Sequence, residues 1–305
     1  MSEQLTHGPV EGATSSVAPE VADLPAAFVP RQLPTPSLTL PEGINPEVRA
    51  LVEELPEPLR TAVIAALNTP DGVKLTMGNA KGGVMKTTLS VYIALILALT
   101  GEPVLLVDAD DTNRTCLKWQ AAAGADWPAN ITVVGYTGPA MAKQVTDLMA
   151  RGFKHLIIDV GPTDKGVLKT AWALTKQGIV PTQQHVGDVV QLTTTFDLLK
   201  EMGEPIDLSV MLAKSFPNRR SYTNARQYIV GLTHADDTDP YPEGLPTVGL
   251  LEGTVPLLED IAETWGSIPE DFGLFSAVLA EKLGVPTTVI AERVARWHEA
   301  TEARR

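Results

Sequence analysis

Lys86, Thr87 and Thr88 follow a pair of glycines, Gly82 and Gly83, and a second lysine, Lys81, opens the same short segment. Glycine, lysine and hydroxyl in this order are what a polyphosphate needs. A cation must meet its β- and γ-oxygens, and Lys86 is placed for that. A hydroxyl must ligate Mg²⁺, and Thr87 follows directly. Gly82 and Gly83 let backbone N–H groups approach the oxygens with no Cβ in the way. Three acids stand at the ends of apolar runs: Asp108 and Asp110 after Val104 to Val107, and Asp159 after Leu156 to Ile158. A carboxylate has to hold the metal's water shell, and Asp159 suits that role.

The elements that must position these residues are a strand, a turn and a helix. Residues 74–77 read as a short strand, and the apolar run 89–99 as a helix opened by Lys86. A helix N-terminus adds positive potential to such a turn. From Lys74 onward, short β runs alternate with helical stretches. This predicts an α/β fold, a doubly wound and mainly parallel sheet flanked by helices. Further strands are read at 103–110, 131–136, 155–159, 178–184, 206–213 and 248–255. Helices are read at 112–124, 139–151, 188–203, 221–231 and 287–305. Ligands of such sheets bind outside the carboxyl ends of the strands. Lys81, Asp108, Asp110 and Asp159 all fall at those ends.

The ordinary phosphate loop, Gly, four residues, Gly, Lys, Ser or Thr, does not fit, because Ala80 and Met85 hold its glycine positions. What fits is Lys-Gly-Gly-x-x-Lys-Thr-Thr. It resembles the deviant Walker loop of the ParA/MinD family of P-loop ATPases, and the partition ParA proteins most of all. The resemblance runs over roughly residues 74–285. It includes Val-Asp-Ala-Asp at 107–110, Trp119, Ile-Ile-Asp at 157–159, Val-Pro-Thr-Gln at 180–183, and Gly-Thr-Val-Pro at 253–256 before an acidic helix. It implies a P-loop NTPase fold, with ATP and Mg²⁺ as cofactors. Nucleotide contacts would come from Lys81, Gly82, Gly83, Val84, Met85, Lys86, Thr87, Thr88 and Asp108, and metal contacts from Thr87 and Asp159. Two residues take catalytic roles by the same resemblance. Asp110 would orient the attacking water, and Lys81 would reach across a two-fold interface to a partner's ATP. The chain departs from the family at Asp111 and Thr112, where Pro-Gln is usual. It departs again at Val160-Gly161-Pro162, often Thr-Pro-Pro, and at Met85, often Gly.

The remaining composition narrows the function. The chain has 305 residues, 44% of them hydrophobic, which is enough for a large core. Its net charge of −13 rules out a uniformly basic coat, so any DNA contact must be a local patch. A single cysteine, Cys116, excludes an intrachain disulfide framework. No basic segment followed by an apolar core opens the chain, so no signal peptide is expected. A cytoplasmic, nucleoid-associated protein is the expectation.

Residues 1–70 hold 11 of the 24 prolines and no lysine. Residues 1–44 therefore read as a disordered or extended acidic tail, and 45–70 as a short helical segment. The ATPase domain is expected at 71–305. One stretch is acid-free, from Leu208 to Ala235, and it carries Lys214, Arg219, Arg220 and Arg226 among short polar donors. Such a mixture suits phosphate contacts on DNA without base readout. The last helix has Val289, Ile290, Val294 and Trp297 at helical spacing, so it is expected to dock on the core. Its net charge of about +1 is weak for an anionic membrane. Taken with the resemblance, these features predict a partition ATPase that dimerises on ATP, binds DNA non-specifically and is reset by a ParB-like adaptor. The alternatives are a MinD-like ATPase that positions a partner or cargo on a membrane, and a metabolic P-loop ligase.

Overall fold

A computed structural model describes residues 34–233, 247–257, 261 and 263–302. The tail up to residue 33, the loop 236–246, most of the acidic segment after Leu257, and Arg304 with Arg305 lie outside the described residues. The strands are β1 Lys74–Met77, β2 Val104–Ala109, β3 Ile131–Gly135, β4 His155–Val160, β5 Gln177–Thr182, β6 Asp207–Ser215, β7 Thr247–Leu250 and β8 Val255–Pro256. All pair in parallel, in the order β3-β2-β4-β1-β5-β6-β7, and β8 joins β6. The run 248–255, expected as one strand, is two: the chain leaves β7 at Leu251 and returns at Val255. Between them Gly253 has no room for a Cβ beyond a tight fit against Glu281 and Val278.

Strand periodicity sorts the core into two layers. In β4, Ile157 faces one side, and Leu156 and Ile158 face the other. On the Ile157 side lie α1 Pro46–Glu54, α2 Leu59–Leu67, α3 Lys86–Ala98, α4 Thr115–Ala123, α10 Gly273–Lys282 and α11 Thr287–Glu302. The opposite side carries α5 Met141–Met149, α6 Lys165–Thr175, α7 Val186–Val190, α8 Leu192–Met202 and α9 Arg220–Thr233. The helix expected at 188–203 is broken into α7 and α8. No helix among the described residues is long and apolar enough to cross a membrane.

α3 is buried on nearly every side, which its continuous apolar run requires. The N-terminal segment is part of that enclosure. Asn45 caps α1 by accepting a bond from the Glu47 N–H at 2.8 Å. Thr61 to Ala66 of α2 are buried against α3 and α10. In the segment 34–44, Leu38 and Leu40 pack on the core, and Asn68 donates to the carbonyls of Ser37 and Thr39. Arg293 of α11 donates to Glu57 at 3.0 Å and to Thr61 at 2.6 Å. The helices at 46–67 thus share one core with the sheet and α3, and α11 docks on them.

His155 ties the start of β4 to its neighbours. Its Nδ1 accepts the Val73 N–H at 3.0 Å, so the ring proton sits on Nε2, facing Thr100 Oγ1 at 3.2 Å. Burial, then the charge of Lys154, pushes its pKa down to about 4. A folded pKa below the unfolded value of about 6.5 means stability present above pH 6.5 and lost as pH falls toward 4. The loss should reach about 3 kcal/mol, and a His155→Asn variant, neutral at every pH, should lack that part of the pH dependence in urea titrations.

Candidate functional site: a phosphate loop facing strand-end acids

Strand register brings the site together. Met77 of β1 and Asp108 of β2 both lie level with Asp159 of β4, at the carboxyl ends of the central strands. The loop between β1 and α3 therefore starts beside both acids. Asn79 fixes its first turn. Its side chain donates to the Pro181 carbonyl at 2.8 Å and accepts from the Lys81 N–H at 3.0 Å and Thr195 Oγ1 at 3.3 Å. Gly83 (φ +73) and Met85 (φ +73) are left-handed, and nothing stands within 4 Å of where a Cβ on Gly83 would project. Met85 holds this conformation without glycine's exemption, a cost of about 1–2 kcal/mol. That explains why a glycine is common at this position in the family the loop resembles.

Lys86 is buried, and its amine turns back on the Lys81 carbonyl at 2.6 Å. Burial lowers its pKa, while Asp159 and Asp110 oppose the shift. Thr87 Oγ1 donates to Asp159 Oδ2 at 2.7 Å, and Ser90 Oγ donates to Asp159 Oδ1 at 3.1 Å. Cys116 contributes its thiol proton to Oδ2 at 3.5 Å. Burial, with help from the charge of Asp108, pushes the Asp159 pKa up to about 6, despite the Thr87 and Ser90 bonds and nearby Lys86. The helix that follows has its own cap, Asp164, which accepts the Val167 N–H at 2.9 Å. Asp159 is thus left to face α3. A hydroxyl and a carboxylate of hard oxygen donors, the hydroxyl directly after a buried lysine, fit Mg²⁺.

Asp108 is fully buried and accepts the N–H groups of Asp110 at 3.2 Å and Leu117 at 3.1 Å, which pins the start of α4. Burial raises its pKa. Asp110 accepts the N–H groups of Thr112 and Asn113 and the Asn113 amide, each at 3.0 Å. Burial alone would raise its pKa, but these bonds and Lys86 hold it below the usual carboxylate range. A Cβ on Gly161 would stand 3.0 Å from the Asp110 carboxyl carbon, so the Val-Gly-Pro departure is what lets this acid lie against β4's end. Asp111 turns to Arg114 at 2.8 Å.

Lys81, at the loop's rim, pairs with Asp188 of α7 at 2.7 Å. Two donors from the far side of the sheet reach the loop tip: Gln183 Nε2 and Lys214 Nζ lie 3.2 and 2.9 Å from the Gly83 carbonyl. Lys214, grouped by sequence with the arginines of the basic stretch, is thus turned onto the phosphate loop. Arg226 is drawn to Glu252 and lies over the Tyr222 ring at 5.9 Å. Arg219 and Arg220 are exposed at the start of α9, Arg219 over Phe216. Sequence reasoning missed Asn79, Ser90 and Asp188. Ser90 was findable, since it lies one helical turn after Thr87.

An AAA domain family model matches residues 73–132, which span β1, the loop, α3, β2 and α4. No curated protein matches the chain in sequence. Among solved structures, the MinC:MinD cell division complex of Aquifex aeolicus aligns with a TM-score of 0.54 at 15% identity, covering 70% of this chain and 98% of that one. A Borrelia burgdorferi B31 protein assigned to plasmid partition, bound to AMPPNP, aligns with a TM-score of 0.52 at 14% identity, covering 69% and 97%. The chain therefore has the fold of the ParA/MinD-type P-loop ATPases, as the loop's resemblance implies.

The buried Asp159 makes a prediction of its own. Its folded pKa of about 6 exceeds the unfolded 3.8. The charge therefore costs stability, with the cost growing as pH rises from 3.8 through 6 and constant above. Asp159→Asn should raise stability by up to about 3 kcal/mol at pH 7 and leave it unchanged near pH 4. Urea titrations at the two pH values check this.

Proposed function

We propose that this protein is a ParA-like partition ATPase. It binds ATP with Mg²⁺, closes into a homodimer, coats DNA without base readout, and is reset when a ParB-like partner stimulates hydrolysis. The observation that carries the nucleotide part is the convergence of Lys86, Thr87 and Asp159 at one helix start, under a glycine loop. Lys86 exchanges the Lys81 carbonyl for phosphate oxygens. Thr87 and Asp159 would hold Mg²⁺, which when bound would supply charge neutralisation to the nucleotide's phosphates. Asp110, kept ionised, accepts a hydrogen bond from the attacking water and orients it toward the γ-phosphorus.

Lys81 supports the dimer reading. It sits on the rim, one third exposed, with its charge balanced by Asp188 within its own chain. On dimerisation it exchanges that carboxylate for the partner's triphosphate. Exposed Arg219 and Arg220, in an acid-free stretch of an acidic chain, support the DNA reading. The MinD-type reading draws on the likeness to the MinC:MinD complex. The placement of Arg293 weighs against α11 as a basic membrane anchor, because it is turned inward onto Glu57 and Thr61.

Three experiments test this. Lys86→Ala should weaken ATP binding at least tenfold by calorimetry, from the loss of a charged contact of about 1.5–3 kcal/mol. Unchanged affinity would remove the site. Lys81→Ala should keep ATP binding yet show no ATP-induced dimer by light scattering, and a persisting dimer would refute the cross-interface role. Co-sedimentation should show DNA binding that requires ATP. Arg219→Ala with Arg220→Ala should then flatten its salt dependence, each lost phosphate contact removing about 0.9 from the log–log slope. ATP-dependent binding to anionic liposomes, with none to DNA, would favour the MinD-type reading.

A further inference from the structure

β6 carries an irregularity with no role in the sheet. Its pairing with β8 slips between Ala213 and Ser215, and the residue inside the slip, Lys214, is left-handed at φ +48. L-residues avoid this conformation, and a lysine gains nothing from it locally. Bulges of this kind re-aim side chains beside functional sites. Here the re-aimed amine ends 2.9 Å from the Gly83 carbonyl, at the tip of the phosphate loop. That carbonyl has a neutral donor already, the Gln183 amide at 3.2 Å. The lysine's charge is therefore surplus to holding the loop. Lys86 shows the same arrangement, its amine resting on the Lys81 carbonyl at 2.6 Å.

We propose that Lys214 is a third cation of the nucleotide site, one that exchanges the Gly83 carbonyl for the polyphosphate of bound nucleotide. This rests on the ATP-binding reading above and adds a residue that the loop's pattern does not contain. A phosphate oxygen is a far better partner for an ammonium group than a neutral carbonyl. The lysine's flexible stem lets the amine make the exchange without moving β6. Gly83 is exposed and its Cβ direction is open, so the amine has room beside the loop tip. Lys214 is thereby removed from the set of DNA-facing cations, which leaves Arg219 and Arg220 on that surface.

The test separates charge from loop pinning. Lys214→Gln keeps an N–H donor for the Gly83 carbonyl and removes the charge. Lys214→Gly removes both and relieves the left-handed strain, so it should fold at least as stably as the parent. Affinities of the full chain for Mg·ATP and Mg·ADP are measured by calorimetry across a range of salt concentrations, with Lys86→Ala as reference. Both Lys214 variants should bind nucleotide roughly tenfold more weakly, the worth of one charged contact, and with a flatter salt dependence. DNA binding, measured at saturating ATP, should keep its salt slope. Lys214→Gln with parental nucleotide affinity and salt dependence would overturn the proposal and make the lysine a loop pin. A fall in DNA affinity alone would overturn it in favour of the DNA surface. No nucleotide binding by the parent chain would overturn this proposal together with the ATP reading, whereas loss in Lys86→Ala alone would overturn only the role of Lys214.

Discussion

Asp159 is a carboxylate with no water to solvate it, and the site is built around keeping it there. Three donors converge on it, from Thr87, Ser90 and Cys116, and they come from two helices on the same face of the sheet. The register of β2 and β4 sets Asp108 beside it, which makes the charge costlier still. A structure selected for stability alone would place an amide here. Retaining the acid makes sense if a divalent cation is to be met at that point, since the cation restores the favourable charge balance that burial removes. The enclosure of α3 follows from this. Its first turn must be immobile for Thr87 and Ser90 to bear on one carboxylate, and a helix buried on nearly all sides is immobile.

Two of the non-glycine residues with left-handed backbone, Met85 and Lys214, bear on the loop itself. Met85 is the last residue of the loop before α3, and Lys214 brings a cation from β6 to the loop tip. Strain that persists at a functional site is held there by the rigid elements on either side. In this chain those elements are β1, α3 and the bulged end of β6.

Much of the site was legible in the sequence, for a physical reason. Lys86, Thr87 and the glycines are local, so their spacing alone fixes their geometry. Asp108, Asp110 and Asp159 end apolar runs, and parallel strands must end at a common edge. The contacts that were not legible are all between distant segments. Nothing near Asp188 shows that it meets Lys81, and nothing near Lys214 shows that a slip in pairing will point it at Gly83. α10 escaped because its apolar positions run all round the helix, with no periodic face to read. The segment 46–67 read as helical, but its place inside the core depends on α10, which follows much later in the chain. The division of 248–255 into two strands rests on Gly253 packing against α10 residues, again a long-range cause.

That placement of α2 has a consequence for synthesis. α2 leaves the ribosome well before α10 and α11, yet α10 completes its buried face and Arg293 of α11 binds Glu57 and Thr61 at its start. Roughly 200 residues separate α2 from α10, so at elongation rates of about 5–20 residues per second its apolar side waits on the order of 10–40 s for its cover. During that interval the side of α2 that packs on α10, within the buried run Thr61 to Ala66, lacks that cover. Helices made late in synthesis thus complete the cover of one made long before them.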